Sequence, residues 1–375
     1  MGTQRMKITV IGTGRVGTSI GLALRQEPGF ELIGHDRDLK TAQRAQQRGA
    51  FDRVEWNLPA AVENADVVIL ALPLTAIRDT FQHIAPVLKP GALVMDTASL
   101  KLPVMQWARE FLPDGVHFVG GNPVLNPALA LDARTGPDAA HPDLFAGGLY
   151  GLMPAANCAP EALQLASNLV ALLRATPFYP DPAEHDGLMA AIEGLPGLLS
   201  LALMRTAAAS PAWREARKLA DYPFNMSTSL VEGDPARQRD LLLYNRDNLI
   251  RWLDALLAEL DHLRQLLLAG DAEALEQIVR EADQARRRED DGVKLPAAQS
   301  GKPRVHVAPE LPHHKVGPVS EKLGFPPYGA RSHHRPLRKV LQPLGRATQK
   351  GIPGVHPLGH GGQLKALGKD RGEVL

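Results

Sequence analysis

The stretch "KITVIGTGRVGTSIGLALRQ" (residues 7–26) decides how this chain is to be read. "KITVIG" (7–12) is a short apolar run ending in glycine, as expected of a strand covered on both faces. "VGTSIGLALRQ" (16–26) changes to helical spacing, with Ile20, Ala23 and Leu24 on one stripe. Between them lies "GTGRVG" (12–17), a Gly-x-Gly-x-x-Gly pattern. Alone the pattern is weak, but at a strand-to-helix junction it has a mechanical meaning. Gly12 permits a tight turn, Gly14 lets a pyrophosphate approach the backbone, and Gly17 lets helix and strand pack closely. The helix start then offers free N–H groups and the positive end of its dipole to phosphate oxygens.

The next strand, "ELIGHD" (31–36), ends at Asp36, 19 residues after Gly17. A carboxylate there accepts hydrogen bonds from an adenosine ribose and disfavours a 2′-phosphate, although Arg37 beside it could offset that charge. NAD is the expected cofactor, with NADP possible. The expected cofactor contacts are Gly12, Thr13, Gly14, Arg15, Val16, Gly17, Asp36 and Arg37. Leu72 and Pro73 in "ALPL" (71–74) and Ser99 in "DTASLK" (96–101) complete the set.

Outward from this motif, strand and helix signals alternate. "KTAQRAQQRG" (40–49) reads as a helix closed by Gly49. "ADVVILALP" (65–73), "GALVMDTAS" (91–99) and "VHFVGG" (116–121) read as buried strands, with "LPVMQWAREFL" (102–112) a helix between the last two. A Pro-, Ala- and Asp-rich loop fills 122–147, before "GLYGLMP" (148–154), a helix over 160–174 and "TPFYP" (176–180). The fold class is α/β: a Rossmann-type doubly wound parallel sheet over 1–181. An all-helical domain is expected over 182–290, where "DLLLYNRDNLIRWLDALLAELDHLRQLLLAGD" (240–271) repeats Leu, Ile and Trp at helical spacing. Read as one helix of some eight turns, this stretch exceeds what a small core needs and implies packing on a second copy, a homodimer.

The formal net charge of +1 hides a division. Residues 296–375 hold 13 of the 42 Lys and Arg and 4 of the 41 Asp and Glu, so they carry about +9; the rest carries 29 minus 37, or −8. Those 80 residues contain 23 Pro and Gly and no sustained period, so a disordered basic tail is expected over 291–375. Its seven histidines follow no metal-ligand spacing, and two aromatics, Phe325 and Tyr328, make a poor nucleic-acid surface. One cysteine, Cys158, excludes an internal disulfide and fits the reducing cytoplasm. Neither a targeting segment nor an uncharged apolar stretch long enough for a membrane span is expected.

The order of "VIGTGRVGTSIGLAL", "ADVVILALPL", "LKPGALVMDTASLK", "FVGGNP", "DLFAGGLYGLMP", "DPAEHDGLMAAIEGLPGLL" and "LLYNRDNL" resembles the prephenate/arogenate dehydrogenase family of tyrosine biosynthesis, over about 6–265. The resemblance implies NAD(P)-dependent oxidative decarboxylation of a prephenate- or arogenate-like acid. It retains the cofactor side: Gly12, Gly14, Gly17, Asp36, Pro73, Ser99 and Lys101. The substrate side differs. Asn122 takes the place of the family's Gly-Gly-His-Pro histidine, which accepts the proton of the ring alcohol as hydride leaves. Glu193 to Gly197 replace its Ser-His-Leu-Pro-His pattern, and Ser229 aligns with the arginine that holds a substrate carboxylate.

A positioned general base contributes roughly 10²- to 10⁴-fold, and an amide cannot serve as one. A serine likewise forfeits a strong Arg–carboxylate contact. Candidate catalytic groups are therefore Asn122, Ser99, His141 (in the loop expected over the site, as a relocated base) and Glu193, as base or as partner of Lys101. Candidate substrate contacts are Lys101, Asn122, His185 and Ser229, with His185 and Asp186 of "AEHDG" facing the cleft or capping a helix. Two alternatives remain open: an NAD-binding relative that has lost this chemistry and acts as a regulatory or structural dimer, and a hydride-transfer enzyme for another small acid.

Overall fold

The computed structural model describes residues 5–130 and 134–287. The expectations for the basic tail lie outside the described residues.

The chain runs β1 (Met6–Ile11), α1 (Arg15–Leu24), β2 (Phe30–His35), α2 (Leu39–Gln47), β3 (Arg53–Val54), α3 (Leu58–Val62), β4 (Val67–Leu70), α4 (Leu74–Ile84) and β5 (Leu93–Asp96). It continues through α5 (Leu102–Phe111), β6 (His117–Pro123), α6 (Pro127–Ala130), β7 (Leu149–Pro154), α7 (Pro160–Leu172) and β8 (Thr176–Phe178). These strands make one sheet in the order β3-β2-β1-β4-β5-β6-β7-β8. All neighbours are parallel except β6 and β7. Uniform burial of β4 and β5 follows from helices on both faces. On one face Ile8, Val10, Ile20, Leu24 and Leu169 pack beneath α1 and α7. On the other, Val68, Leu70, Phe81, Trp107 and Phe118 pack beneath α4 and α5. β3 is only two residues long, too short to show a period in the sequence. Strand order reverses between β1 and β4, so their carboxyl ends open the crevice where such sheets bind ligands. Cys158 is half-buried and burial pushes its thiol up, the setting of an inert cysteine.

The helical part begins with α8 (Pro182–Met189), passes through a π-helical turn at Ala190–Gly194 and continues as α9 (Leu195–Ala209). Then come α10 (Trp213–Leu219), α11 (Tyr222–Thr228), α12 (Pro235–Tyr244), α13 (Arg246–Ala269) and α14 (Ala272–Arg287). The single helix expected over 240–271 is in fact two, broken at Asn245 (φ −119°, ψ 24°). The Asn245 amide donates to the Asp186 carbonyl at 2.7 Å, and its own oxygen accepts from Asn248 at 2.7 Å. The Asn245 side chain is buried between these two contacts, at the point where its backbone leaves the helical range. The break lets α12 meet α4, where Thr75 donates to Asp240 at 3.0 Å. It also sets the Tyr244 ring edge-on to Trp107 of α5.

One stretch is long and apolar enough to cross a bilayer by length and composition alone, although Glu193 keeps it from being uncharged. Pro182–Ala209 spans 28 residues with a mean hydropathy of 1.6 in its most apolar window, of which 11% is buried. Charges near its start and at Glu193 masked this in the sequence. Leu199, Leu201 and Leu203 are among its exposed apolar residues.

Candidate active site

The glycine loop is built for close approach. Gly12 has φ +89°, and a Cβ there would stand 2.3 Å from the Ala71 carbonyl oxygen, so the end of β1 lies directly on the end of β4. A Cβ on Gly17 would stand 1.9 Å from the Gly12 oxygen. Gly14, by contrast, faces open space. It is also the N-cap of α1 and supplies no side-chain cap, so the N–H groups of the first turn remain available to an anion.

Asp36 is tied to this loop rather than free at the strand end. Its Oδ2 accepts from the Thr13 amide at 2.8 Å and the Thr13 hydroxyl at 3.2 Å, and its Oδ1 from the Asp38 amide at 3.0 Å. A carboxylate has about four acceptor positions, so one is left for a ribose hydroxyl. Thr13, expected as a cofactor contact, is fully buried and uses both donors on Asp36; it is a brace for the loop. The Arg15 guanidinium turns to the Leu129 carbonyl of α6, while its backbone opens the first turn of α1. Val16 packs partly against the core, and Leu72 lies against the Gly12 turn. Arg37 is exposed, and exposed Pro73 holds the N-cap position of α4. These residues fit a dinucleotide: an open Gly14, an uncapped helix start and a fixed carboxylate.

Lys101 departs most from expectation. Both it and Asp96 are wholly buried. The Lys101 ammonium donates to Asp96 Oδ2 at 2.5 Å and to the Gly121 carbonyl at 2.6 Å. Asp96 accepts in turn from Gly121 N–H at 3.0 Å and Ala98 N–H at 2.8 Å. Burial pushes the Lys101 ammonium toward its neutral form, and the Asp96 charge opposes that. Lys101 therefore contacts no substrate and pairs with Asp96 rather than Glu193. The pair clamps the turn after β5 to the end of β6, one residue before Asn122.

Asp186 caps α5 from a distance, accepting from Lys101 N–H at 2.7 Å and Leu102 N–H at 2.9 Å. Ser99, a candidate cofactor contact and catalytic group, is half-buried, with no hydrogen-bond partner among the described residues. Asp186→Ala is expected to cost about 2–3 kcal/mol through the lost cap and stranded buried donors. A lower urea midpoint with unchanged slope would show it.

Asn122 and His185 meet. The Asn122 amide nitrogen lies 3.0 Å from His185 Nε2 and 3.5 Å from Met189 Sδ. His185 Nδ1 lies 3.2 Å from Asp186 Oδ1, and both residues are buried. Beyond Met189 opens a cavity of about 340 Å³, lined in part by Leu100, Met189, Glu193, Glu232, Arg237 and Leu249.

His141 does not join this cluster. It is exposed; its amide donates to Ser19 Oγ of α1 at 3.0 Å and its ring accepts from the Asp143 amide at 3.0 Å. Its segment is held on the α1/α2 flank, where Arg44 pairs with Asp138 at 2.6 Å, whereas α8 packs on the α5 side. Ser229 is also exposed and donates to the Met226 carbonyl of its own helix at 3.0 Å. The cation that does line the cavity is Arg237, which has no hydrogen-bond or ion-pair partner among the described residues. Sequence reading missed it because "ARQRD" looks like an ordinary solvated helix face. The usable signal was Asp234-Pro235, an N-cap followed by proline that starts a helix two residues earlier.

The family model of the prephenate dehydrogenase nucleotide-binding domain matches residues 20–178, and that of the prephenate dehydrogenase dimerization domain matches 181–281. The chain belongs to the prephenate/arogenate dehydrogenase family. The first match begins inside α1, so the reading of the glycine loop at 12–17 rests on its geometry. Prephenate dehydrogenase of Bacillus subtilis (strain 168) is 29% identical over 277 residues, covering 72% of this chain and 73% of that protein. Cyclohexadienyl dehydrogenase of Zymomonas mobilis is 25% identical over 282 residues, covering 74% and 94%. Among solved structures, Synechocystis arogenate dehydrogenase superposes with a TM-score of 0.63 at 28% identity, over 75% of this chain and 99% of that one. In this chain the amide of Asn122 is buttressed by a buried histidine.

Proposed function

We propose that this chain is an active NAD-dependent dehydrogenase of prephenate/arogenate type whose substrate pocket has been rebuilt. The observation that carries the reading is the convergence of the open glycine loop and Asn122 on the carboxyl edge of one sheet, with the Arg237 cavity beyond Met189. Gly14, the first turn of α1 and Asp36 would hold the coenzyme, which supplies the hydride acceptor. The chain's own residues then bind and orient the ring acid. Arg237 takes over the carboxylate contact that Ser229 cannot make. Asn122 accepts a hydrogen bond from the hydroxyl on the reacting carbon, and Ser99 offers a second hydroxyl at the same edge. Glu193 lines the cavity, with Glu232 and Asp234, as a group able to receive a proton.

Purified protein with NAD and either prephenate or arogenate, followed at the reduced-nicotinamide absorbance, tests this. Turnover of one acid is expected. Tight NAD binding with no turnover of either would favour a relative that has lost the chemistry, as Asn122 in the histidine's place suggests. Arg237→Ala is expected to raise KM about 10- to 100-fold with kcat nearly unchanged, the result of losing a charge-assisted contact of about 1.5–3 kcal/mol. An unchanged KM removes Arg237 from the pocket.

The same reading makes the chain a homodimer. Leu199, Leu203, Ile250, Trp252, Leu257 and Leu260 leave apolar surface exposed in the part matched by the dimerization-domain model. Sedimentation of the full chain should give twice the monomer mass of 40.5 kDa; a monomer at micromolar concentration refutes it.

A further inference from the structure

We propose that His185 is the positioning residue of this site: it holds the Asn122 amide with its NH₂ turned inward, so that Oδ1 faces the bound ring as a neutral hydrogen-bond acceptor. The inference rests on the dehydrogenase reading for what Asn122 addresses, but the orientation itself follows from the structure.

The chain of hydrogen bonds starts at Asp186. Its carboxylate, which accepts from Lys101 N–H and Leu102 N–H, can only accept from a neighbour. The His185 nitrogen 3.2 Å away, Nδ1, must therefore carry the ring proton. Nε2 is left as a lone pair, and the Asn122 atom 3.0 Å from it must be the NH₂ group. The second amide hydrogen is directed to Met189 Sδ at 3.5 Å. With both donors engaged on α8, Oδ1 has no partner among the described residues and is not sealed from solvent. The backbone of Asn122 is fixed too, by pairing with Gly151 in β7 and by the Asp96–Lys101 clamp on Gly121.

His185 cannot reach substrate itself, being 4% exposed with its outer nitrogen covered by Asn122. It acts through the amide. A reversed amide would present NH₂ to the ring hydroxyl and orient the wrong lone pair. Protonation of the imidazole at Nε2 would force that reversal, because Nε2 then becomes a donor and requires the Asn122 oxygen. The polar groups in contact with the imidazole are the Asp186 carboxylate on its own helix and the Asn122 amide from β6.

The test uses the full chain saturated with NAD. Nitrogen NMR of histidine-labelled protein, with His185→Gln identifying the signal, is expected to show Nδ1 protonated and Nε2 bare, and Asn122→Ala is expected to shift the Nε2 resonance. An Nε2-protonated His185 overturns the proposal. This measurement needs no turnover, so its failure is distinct from failure of the dehydrogenase reading. With the active substrate, His185→Leu and Asn122→Ala should each lower kcat about tenfold, as loss of one oriented hydrogen bond does, and the double variant no further. His185→Gln, whose side-chain oxygen can hold the same amide, should restore most of the rate. Additive losses, or a His185→Gln variant no faster than His185→Leu, refute the assignment.

Discussion

Lys101→Met is expected to lower the stability of the folded chain by about 3–5 kcal/mol, the usual cost of removing one partner from a buried ion pair. The reason is the Asp96 carboxylate left behind. It is wholly buried, and the two backbone N–H groups it retains, from Ala98 and Gly121, do not neutralise its charge. At roughly 2–4 °C per kcal/mol for a domain of this size, the thermal midpoint should fall by about 10 °C. Replacing both partners with apolar residues should recover part of the loss, because the desolvation of two charges then disappears as well. It should not recover all of it, since the Gly121 N–H and carbonyl lose their partners. A midpoint drop under about 2 °C in the single variant would mean that the pair admits water and does not clamp β6.

Gly17→Ala should abolish useful coenzyme binding while leaving most of the fold intact. The added methyl would lie 1.9 Å from the Gly12 carbonyl oxygen, a backbone atom that no rotamer change can move aside. Helix α1 must shift away from β1 by an ångström or more. Such overpacking costs about 1–3 kcal/mol, and here the displaced element carries the N–H groups that bind phosphate. Calorimetry with NAD should show affinity reduced by about two orders of magnitude, the equivalent of 2–3 kcal/mol. Gly14→Ala makes the contrast: its Cβ meets no protein atom within 4 Å, so the fold should be untouched and any lost affinity is collision with the ligand alone. Full NAD affinity in Gly17→Ala would sink the phosphate-cradle reading.

The sheet was legible because its order is written locally: apolar runs, a glycine turn and helical spacing alternate as far as β8, and burial on both faces leaves no other use for runs such as Val67–Leu70. β6 and β7 were both recognised, but nothing in either run shows that they pair antiparallel, because direction is set by the connection and not by side chains. The break at Asn245 was illegible since it depends on a carbonyl 59 residues away. The site was half-legible for the same reason. Gly12, Gly14, Gly17 and Asp36 act within one local unit, so their spacing reveals them. Lys101 was misread because its position at a sheet edge does not say which way the side chain turns, and a buried aspartate five residues earlier turned it inward. His141 failed because its loop folds back on α1, and Arg237 was overlooked because only the tertiary fold brings α12 to the cavity.

Asp186 gives its side chain to the start of α5 and its carbonyl to the bend between α12 and α13. One residue thus pins sheet and helices at a shared pivot. Asn122 is tied to the same joint, because the imidazole that holds its amide leans on the Asp186 carboxylate. Removal of the Asp186 side chain should therefore loosen two places at once, the start of α5 and, through His185, the amide of Asn122.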